Sequence, residues 1–156
     1  EIVVSGPTIT PGYLIDDERG GPFGPHGFHT GDVGRLDETG SLTVLGRLDD
    51  RILSGGENVD PGEVAAVLTA HPDVAAAAVV GLDDDEWGER VAALLAADGA
   101  PDSLDDESIR AFVRERLAGF KRPKTVTYAE AIPRTVSGTV DRDAVRERLL
   151  ADGHEL

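Results

Sequence analysis

The 156-residue sequence contains no cysteine and no methionine, and only 4% of its residues are aromatic. Without cysteine, a disulfide framework, a thiolate metal site and a cysteine nucleophile are excluded. Apolar stretches such as Val74–Val80 are short and mostly alanine, far below the ~18 residues of a membrane-spanning helix. The first residues lack the basic region and apolar core of a signal peptide. We therefore expect a cytoplasmic protein, and the missing methionine predicts a piece of a longer one.

Lysine is scarce as well. The chain has 30 acidic residues against 15 basic ones, a formal net charge of −15, and its two lysines are Lys121 and Lys124. A field this acidic opposes nonspecific binding to nucleic acid or anionic membranes. The hydrophobic content of 40% is too high for a disordered acidic tail. Asp-rich, Lys-poor acidity keeps a protein hydrated in high salt, so we expect a halophilic source or, alternatively, an Ala/Asp/Arg codon bias.

The composition and the hydrophobic pattern of the sequence change near residue 50. Residues 1–46 are dense in glycine and proline, and no segment among them has the 3.6-residue period of a helix. Short strands are predicted at Ile2–Val4, Val33–Leu36 and Leu42–Leu45, the last two separated by a turn at Glu38-Thr39-Gly40. This part is too small to bury a core alone and indicates the edge of a β-structure.

Helix and strand signals alternate after residue 50. The first helix is expected to begin at Asp60, with Pro61 at N1 and Glu63 completing a capping box, and to end at His71-Pro72. Further helices are predicted to begin at Ser103, ending near a C′ glycine at Gly119, and at Asp141. Their expected inward residues are Val64, Val67, Leu68, Ile109, Phe112, Val113, Leu117, Ala144, Val145 and Leu149. Strands are predicted at Val74–Gly81, Val91–Ala97 and Thr125–Tyr128, giving a compact α+β domain of about 100 residues.

Three segments do not read as ordinary core or turn. In Thr30-Gly31-Asp32, a carboxylate beside flexible glycines suits the two hydroxyls of a ribose, and an Asx-turn explains the same residues. In Ser54–Asn58, the paired Gly55 and Gly56 expose backbone N–H groups that suit a phosphate or oxyanion, and a plain loop is equally compatible. Neither the P-loop nor the GxGxxG pattern is present. The charge alternation over Arg47–Arg51 indicates a polar hinge between domains.

The third segment, Phe120–Lys124, holds three cations in an otherwise acidic chain. These cations suit phosphates while Phe120 stacks on a base, and a basic turn at a helix C-terminus is the alternative. Trp87 lies in a polar turn, either as a partly buried anchor or as a stacking surface. The four histidines show no metal-like spacing, and no Ser-His-Asp set is indicated.

Taken in order, these segments resemble the adenylate-forming acyl-CoA ligases over essentially the whole chain. The matching motifs are Gly-Phe-His-Thr-Gly-Asp, Gly-Arg-Leu-Asp-Asp-Arg-Ile, Ser-Gly-Gly-Glu-Asn, Trp-Gly-Glu, Phe-Lys-Arg-Pro-Lys and Pro-Arg-Thr-Val-Ser-Gly-Thr-Val. Within the family, the motifs are most similar to those of the 4-chlorobenzoate and 2-succinylbenzoate ligases. The 2-succinylbenzoate ligases belong to menaquinone biosynthesis. The resemblance implies that residues 1–48 end a large N-terminal domain and that 49–156 form a mobile lid, a short mixed sheet flanked by helices.

The resemblance also implies a two-step reaction with ATP, CoA and Mg²⁺, the metal being bound outside this chain. A carboxylic acid and ATP give an acyl-adenylate and pyrophosphate; the lid then rotates, and CoA gives the thioester and AMP. Asp49 would be the hinge, and Asp32 and Arg47 would bind the nucleotide. The residues expected at CoA are Gly55, Gly56, Trp87, Phe120, Arg122 and Lys124.

Position 139 departs from the family, because Thr139 stands where the resemblance calls for a lysine. That lysine reaches the substrate carboxylate and α-phosphate during adenylation, and threonine is neutral and too short to do so. We therefore expect impaired adenylation, unless a neighbouring basic residue substitutes or the change was engineered, while thioester formation can survive. This piece alone is expected to be inactive. The alternatives are a lid-like binding module without adenylation activity and an adenylation domain that loads a carrier protein.

Overall fold

The computed structural model describes residues 1–10, 22–97 and 104–156. They divide into two compact units, Glu1–Asp50 and Arg51–Leu156. The expected start of the second helix at Ser103 lies outside the described residues. Within the described ranges, no helix is long and apolar enough to cross a membrane.

The first unit consists of small antiparallel sheets. One holds β1 (Val3–Val4), β2 (Phe23–Gly24) and β3 (Gly27–His29) in the order β1-β3-β2, and β4 (Asp32–Leu36) pairs with β5 (Leu42–Arg47). The predicted turn between β4 and β5 is present, because the Asp37 carboxylate accepts hydrogen bonds from the backbone N–H groups of Thr39 and Ser41, each at 2.9 Å. All of β5 is exposed. The unit ends in a 3-10 turn, Leu48–Asp50.

The second unit is organised around a six-stranded mixed sheet. Its strands are β6 (Ile52–Ser54), β7 (Glu57–Val59), β8 (Val74–Asp84), β9 (Gly88–Ala97), β10 (Thr125–Ala129) and β11 (His154–Glu155). The order is β11-β10-β9-β6-β7, and β8 pairs with β9 along a long hairpin. The β9–β10 pair is parallel and the other pairs are antiparallel. Strands β8 and β9 include the predicted strands Val74–Gly81 and Val91–Ala97, and each is three residues longer than predicted.

Three helices pack on this sheet: α1 (Pro61–Thr69), α2 (Asp106–Arg116) and α3 (Arg142–Asp152). The predicted caps of α1 and α3 are present, since the carboxylates of Asp60 and Asp141 accept from the N–H groups of Gly62 and Ala144. Asp105 caps α2 by accepting from Ser108 N at 2.8 Å.

The predicted C-terminal glycine of α2 is wrong. The helix ends at Arg116, and its C-cap is Leu117, whose backbone is extended. Leu117 is buried in the core, so its side chain draws the backbone out of the helix before Gly119 is reached. Gly119 instead begins a short 3-10 turn that ends at Lys121.

The core lies on both faces of the sheet, which explains why Val91–Ala97 is one continuous buried apolar run. On one face, Val91, Ala93 and Leu95 pack with the apolar stripes of α1 and α2. On the other face, Ala92, Leu94 and Ala96 pack with Val145 and Leu149 of α3. The expected inward residues are fully buried except Val67, Phe112 and Ala144, which are half-buried.

Candidate functional site

The paired glycines form the turn of a β-hairpin, which is more ordered than the plain loop that was the alternative interpretation of Ser54–Asn58. Strands β6 and β7 are joined by the two residues Gly55 and Gly56. Their φ angles are +60° and +83°, and positive φ at both central residues is what a type I′ hairpin turn requires. Glycine populates this region without steric cost, so the hairpin itself demands both residues.

The two glycines differ in their surroundings. The N–H of Gly55 donates to the carbonyl of Trp87 at 2.9 Å, and a Cβ on Gly55 would lie 2.8 Å from Trp87 Cε3. Gly55 therefore lets the turn approach the indole closely. A Cβ on Gly56 would meet no atom within 4 Å, so the outer side of the turn is open.

Lys124 and Trp87 form the second part of the site. The Lys124 ammonium lies 3.1 Å from the centroid of the half-buried Trp87 ring, well within cation–π range. The Asp84 carboxylate fixes the adjacent turn by accepting from the N–H groups of Glu86 and Trp87, each at 3.0 Å. The hydrogen bond from the Trp87 N–H is the main reason why the pKa of Asp84 lies below its ordinary value of 3.8. Burial opposes this effect, whereas the bond from Glu86 and the charges of Arg90 and Lys124 lower the pKa further. The structure thus brings Gly55, Trp87 and Lys124 together.

The rest of the basic segment has other contacts. Arg122 donates to the carbonyls of Leu117 and Arg114 at 2.9 and 3.0 Å, at the C-terminal end of α2. The alternative interpretation, a basic turn at a helix end, therefore describes Arg122. Phe120 is half-buried against the core, and Lys121 forms an ion pair with Glu63 at 2.7 Å. Of the predicted segment, Lys124 is the residue found on the indole.

A second cluster lies in the first unit. Arg47 donates to the Thr30 carbonyl at 3.0 Å and to the carboxylates of Asp32 and Asp49, each at 3.4 Å. Gly31, with φ of +73°, makes room for it, because a Cβ there would lie 2.8 Å from the Arg47 guanidinium. The structure therefore brings the two predicted nucleotide-binding residues and the predicted hinge residue together. All three side chains are partly exposed, so oxygens and N–H groups remain accessible to a ligand.

Thr139 lies in an exposed loop of hydroxyl groups. Its Oγ1 is 2.8 Å from Thr135 Oγ1 and 3.4 Å from Ser137 Oγ, and its carbonyl accepts from Thr135 N. No positive charge is contributed by this trio. Arg134 is the cation of the same loop, and its guanidinium donates to the Gly138 carbonyl at 2.7 Å.

A serine, a histidine and an aspartate that the sequence did not bring together meet at the start of α2. Ser108 Oγ lies 3.0 Å from His71 Nε2, and Asp73 Oδ2 lies 3.8 Å from Nδ1. The N–H of Asp73 donates to Nδ1 at 3.3 Å, so the hydrogen bonding assigns the ring proton to Nε2. That tautomer cannot take a proton from Ser108, and the buried ring packs on Phe112. The contact is structural.

Metal ligation is not organised in this part of the protein. Over residues 1–10, 22–97 and 104–156, no three histidine, aspartate or glutamate side chains are grouped so that they could hold a metal ion.

The chain is similar in sequence and fold to known proteins. Residues 63–139 match the family described as AMP-binding enzyme C-terminal domain. The 2-succinylbenzoate–CoA ligase of Bacillus licheniformis is 44% identical over 143 residues, covering 91% of this chain and 29% of that protein. The solved o-succinylbenzoate CoA synthetase of Bacillus subtilis, in complex with its acyl-adenylate intermediate, is 36% identical with a TM-score of 0.70, covering 86% of this chain and 26% of the other.

A fatty acyl CoA synthetase of Mycobacterium tuberculosis is 42% identical with a TM-score of 0.68, covering 83% of this chain and 26% of the other. The chain spans about 30% of the length of the curated relatives it matches. These similarities confirm an AMP-binding enzyme C-terminal domain at residues 63–139 and the α+β fold class expected from the sequence.

Proposed function

Because residues 63–139 are an AMP-binding enzyme C-terminal domain, we propose that the chain is the C-terminal part of an ATP-dependent acid–CoA ligase. The observation that carries this proposal is the Gly55–Trp87–Lys124 arrangement, which joins a close-approach turn, an aromatic face and a cation. Those groups suit a narrow thiol-bearing chain, an adenine ring and phosphates.

The proposed reaction proceeds in two steps. A carboxylate oxygen attacks the α-phosphorus of ATP, which forms the acyl-adenylate and releases pyrophosphate. The CoA sulfur then bonds to the acyl carbon as the bond to the AMP oxygen breaks, and the thiol proton passes to solvent. Mg²⁺ would neutralise the ATP phosphates and would be held outside this chain. The two steps need different groups around one carbonyl, which favours a lid that alternates between two poses by rotation at Asp49.

In this proposal the first-unit cluster serves the nucleotide. Asp32 would accept hydrogen bonds from the ribose hydroxyls, and Arg47 would hold Asp32 in place while it donates to the ribose or a phosphate. Asp49 is bound to the same guanidinium at 3.4 Å, and its side chain is 80% exposed. An exposed, long ion pair contributes little stability, so the proposed hinge residue is only weakly restrained.

In this proposal the residues that meet in the second unit, Gly55, Trp87 and Lys124, bind CoA together with Gly56. Gly56 leaves space for pantetheine, and Trp87 with Lys124 would meet the adenine and its phosphates. Phe120 and Arg122 remain predicted members of this site. Arg122 would have to exchange its bonds to two backbone carbonyls for a phosphate, so we expect it to contribute less than Lys124.

Thr139 makes the first step the weaker one in this proposal. Its hydroxyl lies among other hydroxyls and supplies no charge for the developing oxyanion. Arg134 is the neighbouring cation that would substitute for the lysine if adenylation is retained.

We propose 2-succinylbenzoate as the acid, in menaquinone biosynthesis, because relatives with that name are 41% and 44% identical to the chain. We further propose a cytoplasmic location and adaptation to high salt, which the net charge of −15 supports. A lid-like module without adenylation activity is the second candidate, and Thr139 is the observation that favours it.

The test is a titration of the 156-residue chain with CoA, followed by the emission of its single tryptophan. We expect a saturable change with CoA and with adenosine 3′,5′-bisphosphate, but none with pantetheine, which lacks the adenine and the phosphates. Lys124→Gln should weaken the response, whereas Arg146→Gln, a partly exposed cation on α3 that pairs with Asp143, serves as the matched control. No saturable response would reject the CoA site and favour a carrier protein or a binding module.

A further inference from the structure

Glu89 is a half-buried residue beside the Gly55-Gly56 turn, and the proposed function gives it no role. It follows Trp87 and Gly88 on β9, and its Oε2 accepts a hydrogen bond from the backbone N–H of Leu53 at 2.7 Å. Leu53 is on β6, two residues before Gly55. A carboxylate on β9 therefore holds the strand that leads into the turn.

Farther from the turn, Ile52 and Val59 fix the hairpin in the core beside β9, so the contacts considered next are those at the turn end. Strand β6 pairs with β9 at Ser54↔Gly88, and Gly55 N–H donates to the Trp87 carbonyl. The hydroxyl of Ser54 is buried and has no hydrogen-bond partner among the residues that the structure describes, so no bond from this side chain to them anchors the strand. Hydrogen bonds to ionised acceptors are about twice as strong as neutral ones, so the Glu89 contact is the strongest of the three.

Gly81 on the neighbouring strand β8 provides the space for this contact. A Cβ on Gly81 would overlap Oε1 of Glu89 and lie 2.9 Å from its Cδ. Gly81 lies in a regular strand, paired with Val91, and its backbone has no positive φ that would demand glycine. A residue at position 81 must therefore leave space for the Glu89 carboxylate and also for Ile52, whose Cγ2 would lie 3.2 Å from the added Cβ.

The position of Glu89 does not follow from strand stability. It lies directly across the β8–β9 ladder from Asp83, and like charges in such a pair are destabilising. The favourable contact that the structure shows for the Glu89 carboxylate is its bond to the N–H of Leu53, on the strand that leads into the turn.

We propose that Glu89 is a positioning residue for thioester formation, which holds the Gly55-Gly56 turn against Trp87 while the CoA sulfur attacks the acyl carbon and AMP leaves. This inference rests on the proposed function. Glu89 does not itself touch the reacting atoms. It acts through Leu53 and the turn, so its loss should lower the rate of the second step and leave adenylation unchanged.

The experiment uses the full-length enzyme and measures the two steps separately, with pyrophosphate exchange for adenylation and preformed acyl-adenylate plus CoA for thioester formation. Glu89→Ala should lower kcat for thioester formation by about 10- to 100-fold, because misplacement by about 1 Å has effects of that size. The KM for CoA should change less than the kcat for thioester formation, since Trp87 and Lys124 are intact. Glu89→Gln keeps an acceptor oxygen and should recover most of the activity, and Glu57→Ala on β7 is the matched control.

The Gly81→Ala variant tests the same contact from the other side. Alone it should reproduce the Glu89→Ala defect by displacing the carboxylate from Leu53, but in the Glu89→Ala background it should add little further loss. Equal losses in both steps, or additive effects of the two substitutions, would overturn the positioning role. If the unsubstituted enzyme forms no thioester from acyl-adenylate and CoA, the proposed function itself fails, a result that differs from either outcome.

Discussion

The two units of the chain use similar tight antiparallel hairpins but bury their apolar side chains very differently. In Arg51–Leu156, every residue of Val91–Ala97 is buried between helices on both faces of the sheet. In Glu1–Asp50, strand β5 is exposed along its whole length, with Leu42 at 50% and Val44 at 60% of their accessible surface. Among the described residues, the buried hydrophobic core belongs to the second unit.

Strand pairing alone therefore does not make a stable unit. Hairpins of two or three strands are marginal in water unless an apolar face is covered. The second unit satisfies that requirement within its own residues. The first unit holds its residues with turns and exposed ion pairs, and contributions of that kind are small.

The largest expected contrast comes from truncating one apolar side chain in each unit. Leu95→Ala should lower the free energy of unfolding by about 2–5 kcal/mol, because it opens a cavity at a fully buried position. Val44→Ala at a 60% exposed position should change it by less than ~0.5 kcal/mol. Urea unfolding followed by circular dichroism measures both. Similar costs at the two positions would show that the units unfold as one cooperative body.

The next contrast lies within one turn. Gly55→Ala and Gly56→Ala each place a side chain at positive φ, a strain of order 1–3 kcal/mol, but only the first also meets the Trp87 ring. Gly55→Ala should therefore cost more stability than Gly56→Ala and should also shift the Trp87 emission. Equal unfolding midpoints for the two variants would contradict the close packing of the turn on the indole.

Two aspartates that accept backbone N–H groups give a smaller contrast. Asp60→Ala removes the N-cap of α1 in the second unit and should cost ~1 kcal/mol in urea unfolding. Asp37→Ala removes the side-chain bonds of the β4–β5 turn and should leave the midpoint of the second unit unchanged. If Asp37→Ala lowers that midpoint as much as Asp60→Ala does, the division into units is wrong.

The smallest effect depends on pH. Partial burial tends to raise the pKa of Asp106, but hydrogen bonds from Tyr128 and His154 outweigh it and lower the pKa below its ordinary value of 3.8. A lowered pKa in the folded state stabilises the protein above the ordinary value, and that stability is lost as the pH falls through the lowered one. Asp106→Asn should therefore reduce the unfolding midpoint at pH 6, and the difference from the unsubstituted chain should shrink as the pH falls from 3.8 through the lowered pKa. A difference that is constant over this range would exclude the ionised carboxylate as its cause.

Local signals explain what the sequence predicted well. Asp60 and Asp141 are caps whose partners lie within three residues, so their role is visible in the chain itself. The sequence analysis does not predict the β6–β7 hairpin, because each strand is only three residues long and Ile52 and Ser54 become buried through tertiary packing.

The candidate site was accessible to sequence reasoning only in part. The motifs identified Trp87 and Lys124 through resemblance, but their contact joins two segments that are distant in the chain. The resemblance assigns Arg122 to CoA, but a sequence does not show a cation's partners, which in the structure are helix-end carbonyls. Glu89 had no signal beyond its place after Trp-Gly, because its function depends on the space left at Gly81.

The most direct test of the proposed ligase function compares the two half-reactions of the full-length enzyme with threonine and with lysine at position 139. We expect the enzyme to convert acyl-adenylate and CoA to the thioester but to adenylate slowly, and Thr139→Lys to raise the adenylation rate by about 100-fold, the size of one oxyanion-stabilising group. The rate of thioester formation should stay within about threefold, since that step uses the opposite set of groups. Unchanged adenylation in Thr139→Lys, or no thioester from either protein, would contradict the account.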